Sequence, residues 1–263
     1  RRAADAWMAA RLPRKALAAL DGLEATGEDL TETRLRCHLA LQIGRDPDER
    51  VWDEFLALLQ RAKSDRPHDP DVVLAEAHYL AASTGTAGAI AMLYAEQPFL
   101  ESFPRYWRAL AELLMLQQQE ELAREAVDNF VAAGGDPAVA MSLRAQRSVQ
   151  AGRTEEAIEL LSRSLADLPA ADQSQSVRVA LVNLLSAEGR TNRAKELMTS
   201  AIDEEPTSFQ LLSLAAGLAL GQRDFDWADK LEQRFLTLEG PDGLYRKYLR
   251  AGRLLAAIND AQQ

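Results

Sequence analysis

Four alanines, Ala123, Ala157, Ala194 and Ala228, recur at steps of 34, 37 and 34 residues. Each stands near the start of an apolar-periodic stretch. Gly152 and Gly189 precede two of them by five residues, and Gly135, Pro169, Pro206 and Gly240 follow them by twelve. A period in the mid-thirties built from two helices specifies a stack of helical hairpins. The alanines fit such a stack because a larger side chain would push closely crossing helices apart.

Composition narrows the reading further. With 47% hydrophobic and 27% charged residues the chain can bury a core and is not disordered. Aromatics are only 6%, which favours helix packing on small side chains over a β fold. A net charge of −10 repels phosphate backbones and anionic lipid, and no Lys/Arg run exceeds two residues, so no nucleic-acid partner is expected. The single cysteine, Cys37, excludes an intrachain disulfide and suits a reducing compartment such as the cytoplasm. No apolar run is long enough to insert into a membrane. The chain opens on Arg1-Arg2, without Met or a signal pattern, partway through a repeat. It therefore reads as a segment of something longer, whose targeting signal lies outside it.

The repeat is clearest from Arg105. Trp107, Leu110, Ala111 and Leu114 form an apolar stripe at helical spacing. Gln117-Gln118-Gln119 makes a turn, and Ala123, Ala126, Val127 and Phe130 continue the stripe until Gly134-Gly135-Asp136-Pro137 ends it. This pattern resembles the tetratricopeptide repeat: a large apolar residue, then Leu and a small residue three and four later, and Ala sixteen after the first. Units over 138–171, 175–206 and 209–240 resemble it as well. The extra residues of the third fall in a polar loop, Ala170–Ser176, and Arg144, Ser148 and Glu232 replace apolar residues of the pattern. Upstream the resemblance is only architectural. Asp71–Ser83 pairs with Gly88–Gln97 between Pro70 and Pro98, and Thr31–Ile43 with Val51–Lys63. Ala3–Arg11 and Arg14–Leu23 look like a pair truncated at its front, and Pro241–Ile258 reads as a closing helix or the start of a further repeat. The resemblance implies an all-α fold, a right-handed α-α superhelix. This helical solenoid has about six helix pairs plus a closing helix, roughly thirteen helices, in one domain over 1–263.

The candidate chemistry is thin. Asp65, His68, Asp69 and Asp71 could form a weak cation site, but ordinary turn residues capping the next helix explain them better. Cys37 and His38 are adjacent, so on a helix they point about 100° apart and do not make a nucleophile pair. Gly85-Thr86-Ala87-Gly88 lacks the ending of a phosphate loop. Glu120-Glu121 and Glu155-Glu156 start second helices, where carboxylates favour the positive end of the dipole. No catalytic residue, metal site or cofactor is implied.

The resemblance implies a partner instead. Arrays of this family commonly bind a peptide or partner helix in the groove lined by their first helices. Residues flanking the buried stripe should face it: Arg105, Arg108, Glu112 and Met115, with Tyr106 as a flank, then Gln146 and Asn183. Two arginines beside aromatics on an acidic chain suit an acidic or C-terminal peptide. Some family members hold a C-terminal carboxylate with Lys, Arg and Asn in this groove, and only Arg108 and Asn183 resemble such places. The expected function is a non-catalytic protein–protein interaction scaffold. The alternative is a regulatory or substrate-recruiting segment of an enzyme whose catalytic domain lies outside the chain. An RNA-binding helical repeat has a similar period but needs basic groove residues.

Overall fold

The structure, a computed structural model, describes residues 13–21, 30–167 and 171–261. These form fourteen α-helices and one short 3₁₀ turn (Pro47–Glu49), with no β-strand among the described residues. The chain groups into two compact units, 1–153 and 154–263. The first holds α1 (Pro13–Asp21), α2 (Thr31–Ile43), α3 (Asp53–Asp65), α4 (Pro70–Ser83), α5 (Thr86–Leu100), α6 (Pro104–Leu116), α7 (Glu120–Ala132) and α8 (Pro137–Gln150). The second holds α9 (Thr154–Asp167), α10 (Ala171–Ala187), α11 (Thr191–Glu204), α12 (Phe209–Gly221), α13 (Phe225–Glu239) and α14 (Leu244–Ala261).

The first unit is built by neighbour packing. Each helix lies against the next, and the first helices α2, α4, α6 and α8 also pack directly on one another in a row. Its main core runs from Val73 to Leu143 through Tyr106, Leu110, Leu114, Ala123 and Phe130. All four alanines of the ladder are completely buried, as a close helix crossing requires.

Pro70, Pro104 and Pro137 each open a first helix rather than merely ending the element before it. Proline suits that position because its missing N–H would have had no intrahelical partner. Asp69 and Asp136 cap two of these starts. The Asp69 carboxylate accepts from the Asp71 and Val72 N–H groups, and Asp136 accepts from Ala138 N–H. The acidic turn around His68 is thus a helix cap, as its residue types suggest.

Several expectations need correction. Pro98 lies inside α5, not beyond its end. In the last turn it forfeits only its own bond to the Tyr94 carbonyl, and the fully buried Leu100 holds the turn closed. In the third clear unit residues 171–176 are helix rather than loop, because α10 already begins at Ala171. Cys37 is fully buried, in a small cluster with Ala16, Leu20 and Leu30. The segment Ala3–Arg11 lies outside the described residues.

In the second unit Glu232 explains its own departure from the apolar pattern. It is nearly sealed from water, yet Arg246 and Arg250 of α14 donate to it at 3.1 and 2.7 Å, and Arg253 approaches at 3.5 Å. The carboxylate ties α14 to α13 where a leucine would only have filled space. Arg144 likewise reaches Asp128 at 3.0 Å instead of packing inward.

Candidate partner-binding face

Helix α6 positions most of the candidate residues. It is an interior element that packs on α4, α5, α7 and α8, so a wide arc of its surface is buried. The remaining strip carries Arg105, Arg108 and Glu112. Arg105 donates to Asp71 at 2.7 Å, joining the first turns of α6 and α4 one repeat apart. Arg108 donates to Glu112 at 2.8 Å, one helical turn away. Each arginine therefore carries its own carboxylate, and the face is a paired polar surface rather than a bare positive one.

Tyr106 and Met115 point the other way. Tyr106 is 0% exposed and its hydroxyl donates to the Leu93 carbonyl at 3.1 Å; Met115 is 3% exposed. Burial, followed by the proximity of Tyr94 and Glu101, pushes the Tyr106 phenol well above its usual range. Both residues support the face from beneath, and Tyr106 cannot flank a ligand there. The flanking positions failed because α6 has neighbours on so many sides. Gln146 is exposed on α8, beside α6. Asn183 is exposed on α10 in the second unit.

The aromatic concentration from Tyr94 to Trp107 divides in two. Trp107 is buried and its indole N–H donates to the Glu101 carbonyl at 2.7 Å. Tyr94, Phe99 and Phe103 are exposed. Phe99 stacks on His68 with ring centroids 3.7 Å apart, and His68 also meets Glu96 at 2.8 Å.

The spacing did not disclose a set of ion pairs between repeats. Arg153, just after α8, binds Glu120 at the start of α7; Arg190, just after α10, binds Glu155 at the start of α9. The hydrogen bond from Arg153 is the main reason the Glu120 carboxyl sits below its usual range. The glutamates thus face a partner as well as a helix dipole. Their arginines, 33 and 35 residues on, were the available signal. Among the described residues no three His, Cys, Asp or Glu side chains converge as a metal site would require.

Residues 148–218 match the family model described as tetratricopeptide repeat. That stretch resembles the tetratricopeptide repeat. The matched stretch omits the pair α6–α7, whose residues fit the pattern best, and covers the weaker units after it. No curated protein sequence matches the chain. Among solved structures, a chain of the APC/C hetero-tetramer Cut9–Hcn1 is 14% identical, with a TM-score of 0.50. That match covers 94% of this chain but 47% of the other, so this chain spans about half its length. TTC0263, a thermophilic tetratricopeptide-repeat protein of Thermus thermophilus, is 19% identical over 69% of this chain and 94% of its own, with a TM-score of 0.49. YrrB, described as a tetratricopeptide-repeat protein with an unusual peptide-binding site, is 13% identical over 73% of this chain and 97% of its own, with a TM-score of 0.38. At such identities the likeness concerns the fold alone. Among the described residues no helix is long and apolar enough to cross a membrane.

Proposed function

We propose that the chain is a non-catalytic scaffold module that holds a peptide or partner helix against its row of first helices. One observation supports this reading: α2, α4, α6 and α8 pack side by side, so their outer surfaces adjoin in a row. Tetratricopeptide repeats serve generally as such scaffolds. The contact is centred on Arg105, Arg108 and Glu112, with Gln146 beside them, and Asn183 is a contact of the second unit. Because both arginines are already paired, the ligand gains directional hydrogen bonds rather than a large electrostatic pull.

The test is affinity capture with the whole chain, followed by direct binding of the captured partner to a double charge reversal, Arg105→Glu with Arg108→Glu. The reversal adds two carboxylates beside Asp71 and Glu112 and leaves both of those unpaired, and binding should fall at least about tenfold with helicity unchanged. Full-strength binding by a correctly folded double variant would place the contact elsewhere.

A further inference from the structure

Where α1 begins and α2 ends, the first unit opens a cleft of about 810 Å³. Its floor is apolar. Leu39 is buried there, Leu41 is half-buried and Ile43 stands 45% exposed. Three arginines also line it: Arg14 from α1, Arg36 from α2 and Arg45 from the turn that follows α2. No aspartate or glutamate lines it among the described residues. Arg36 meets Glu32 at 3.5 Å, one helical turn back. Arg14 and Arg45 have no ion pair among the described residues. Three arginines less Glu32 leave two net positive charges in a chain of −10. The residues leading into α1 add to that sign, since 1–12 hold Arg1, Arg2 and Arg11 against Asp5.

The fold does not account for Arg14. It occupies the first turn of α1, the positive end of the helix dipole, where a cation is unfavourable. Its side chain is exposed and open to a ligand, as is that of Arg36 at 47%. Arg45 is held in place. Its Nη1 donates to Gln42 Oε1 at 3.2 Å, and the same oxygen accepts from the Val51 N–H at 3.0 Å. Arg50 ties this turn to α4 by donating to the Ala82 carbonyl at 2.8 Å. A guanidinium fixed in advance loses less freedom when a ligand binds it.

We propose that this cleft docks an acidic amphipathic segment of a partner protein, in which aspartates or glutamates flank a large apolar side chain. The apolar side chain covers Leu39, Leu41 and Ile43, and the carboxylates meet Arg14 and Arg45, whose planar forks suit them. Charge complementarity selects this occupant. A basic segment is repelled, and a neutral apolar one would cover the arginines without giving them acceptors. Free phosphate would satisfy the arginines and leave the apolar floor in water. The volume suits a short stretch of chain rather than a single side chain. The site rests on the chain being a protein-binding module, but neither Arg105 nor Arg108 lines it, so it can fail apart from the α6 face.

The probe is a short capped peptide of leucines flanked by glutamates, labelled with fluorescein and titrated into the full chain at physiological salt. Two control peptides carry glutamine for glutamate and serine for leucine, and inorganic phosphate serves as competitor. The acidic amphipathic peptide is expected to bind, and each control peptide to bind at least about tenfold more weakly. Arg14→Gln should weaken it about tenfold with the thermal midpoint unchanged, because that side chain makes no hydrogen bond or ion pair among the described residues. Ile43→Ser should weaken it as well. The double variant Arg105→Glu with Arg108→Glu should bind the peptide as its parent does. Equal binding of either control peptide, no binding of any peptide, displacement by phosphate beyond that by chloride of the same ionic strength, or an Arg14→Gln, Arg45→Gln variant that folds and binds like its parent would overturn the proposal. A captured partner that still depends on Arg105 and Arg108 would then keep the α6 face and sink this cleft alone.

Discussion

Glu232 stands in a place the repeat reserves for an apolar side chain, at 7% exposure. A carboxylate is tolerated so far from water because the guanidinium groups of α14 replace its hydration. Glu232→Ala should cost about 3 kcal/mol, since it strands the poorly exposed Arg246; Arg250→Ala should cost far less, because that side chain is 55% exposed. Urea midpoints of the two variants measure the difference. Asp224 offers a test by pH. Its carboxylate caps α13 by accepting from the Trp227 N–H and is bound by Lys195, which also lies 5.4 Å over the Trp227 ring. The Lys195 hydrogen bond leads in holding its pKa below the usual value of 3.8; partial burial opposes this, and the Trp227 N–H assists it. A depressed folded pKa contributes stability that is present above the unfolded value and lost as pH falls through the folded one. Thermal midpoints below about pH 5 should therefore fall less steeply in Asp224→Asn, which keeps the cap and removes the titrating charge.

At the scale of helices, the four alanines translate most directly into packing. Replacing the fully buried Ala157 with leucine should overpack its junction and cost about 1–3 kcal/mol, seen as a lowered urea midpoint. Much of the fold was legible because periodicity and turn residues act locally. Thr31–Ile43 occupies the span its pattern predicts, and α6 and α7 meet at the expected turn. What the pattern missed depended on neighbours. Pro98 reads as a stop, yet burial of Leu100 carries the helix past it. Tyr106 reads as a flank, yet four packed neighbours of α6 cover it. At the candidate site, the placement of Arg105, Arg108 and Glu112 on the uncovered strip of α6 was legible because it follows from helical phase; the carboxylate pairing that Arg105 makes across repeats was not.

For the whole molecule, net charge weighs against polyanionic partners. At −10, and with the arginines of the α6 face bound to their own carboxylates, that face offers phosphate no continuous basic track. Filter binding to single-stranded RNA at physiological salt should stay at background, and tight binding that falls steeply with salt would favour an RNA-binding repeat instead. The ion pairs Arg153–Glu120 and Arg190–Glu155 bear on a different matter, the history of such a chain. Each joins residues about one repeat apart, so the rule that forms it belongs to the repeat and not to a particular pair of helices. A tandem duplication one repeat long would arrive with both halves of a new clasp, and a deletion of the same length would rejoin the old ones. Arrays of this kind can thus change length in whole steps during evolution while every carboxylate at a helix start still finds its arginine.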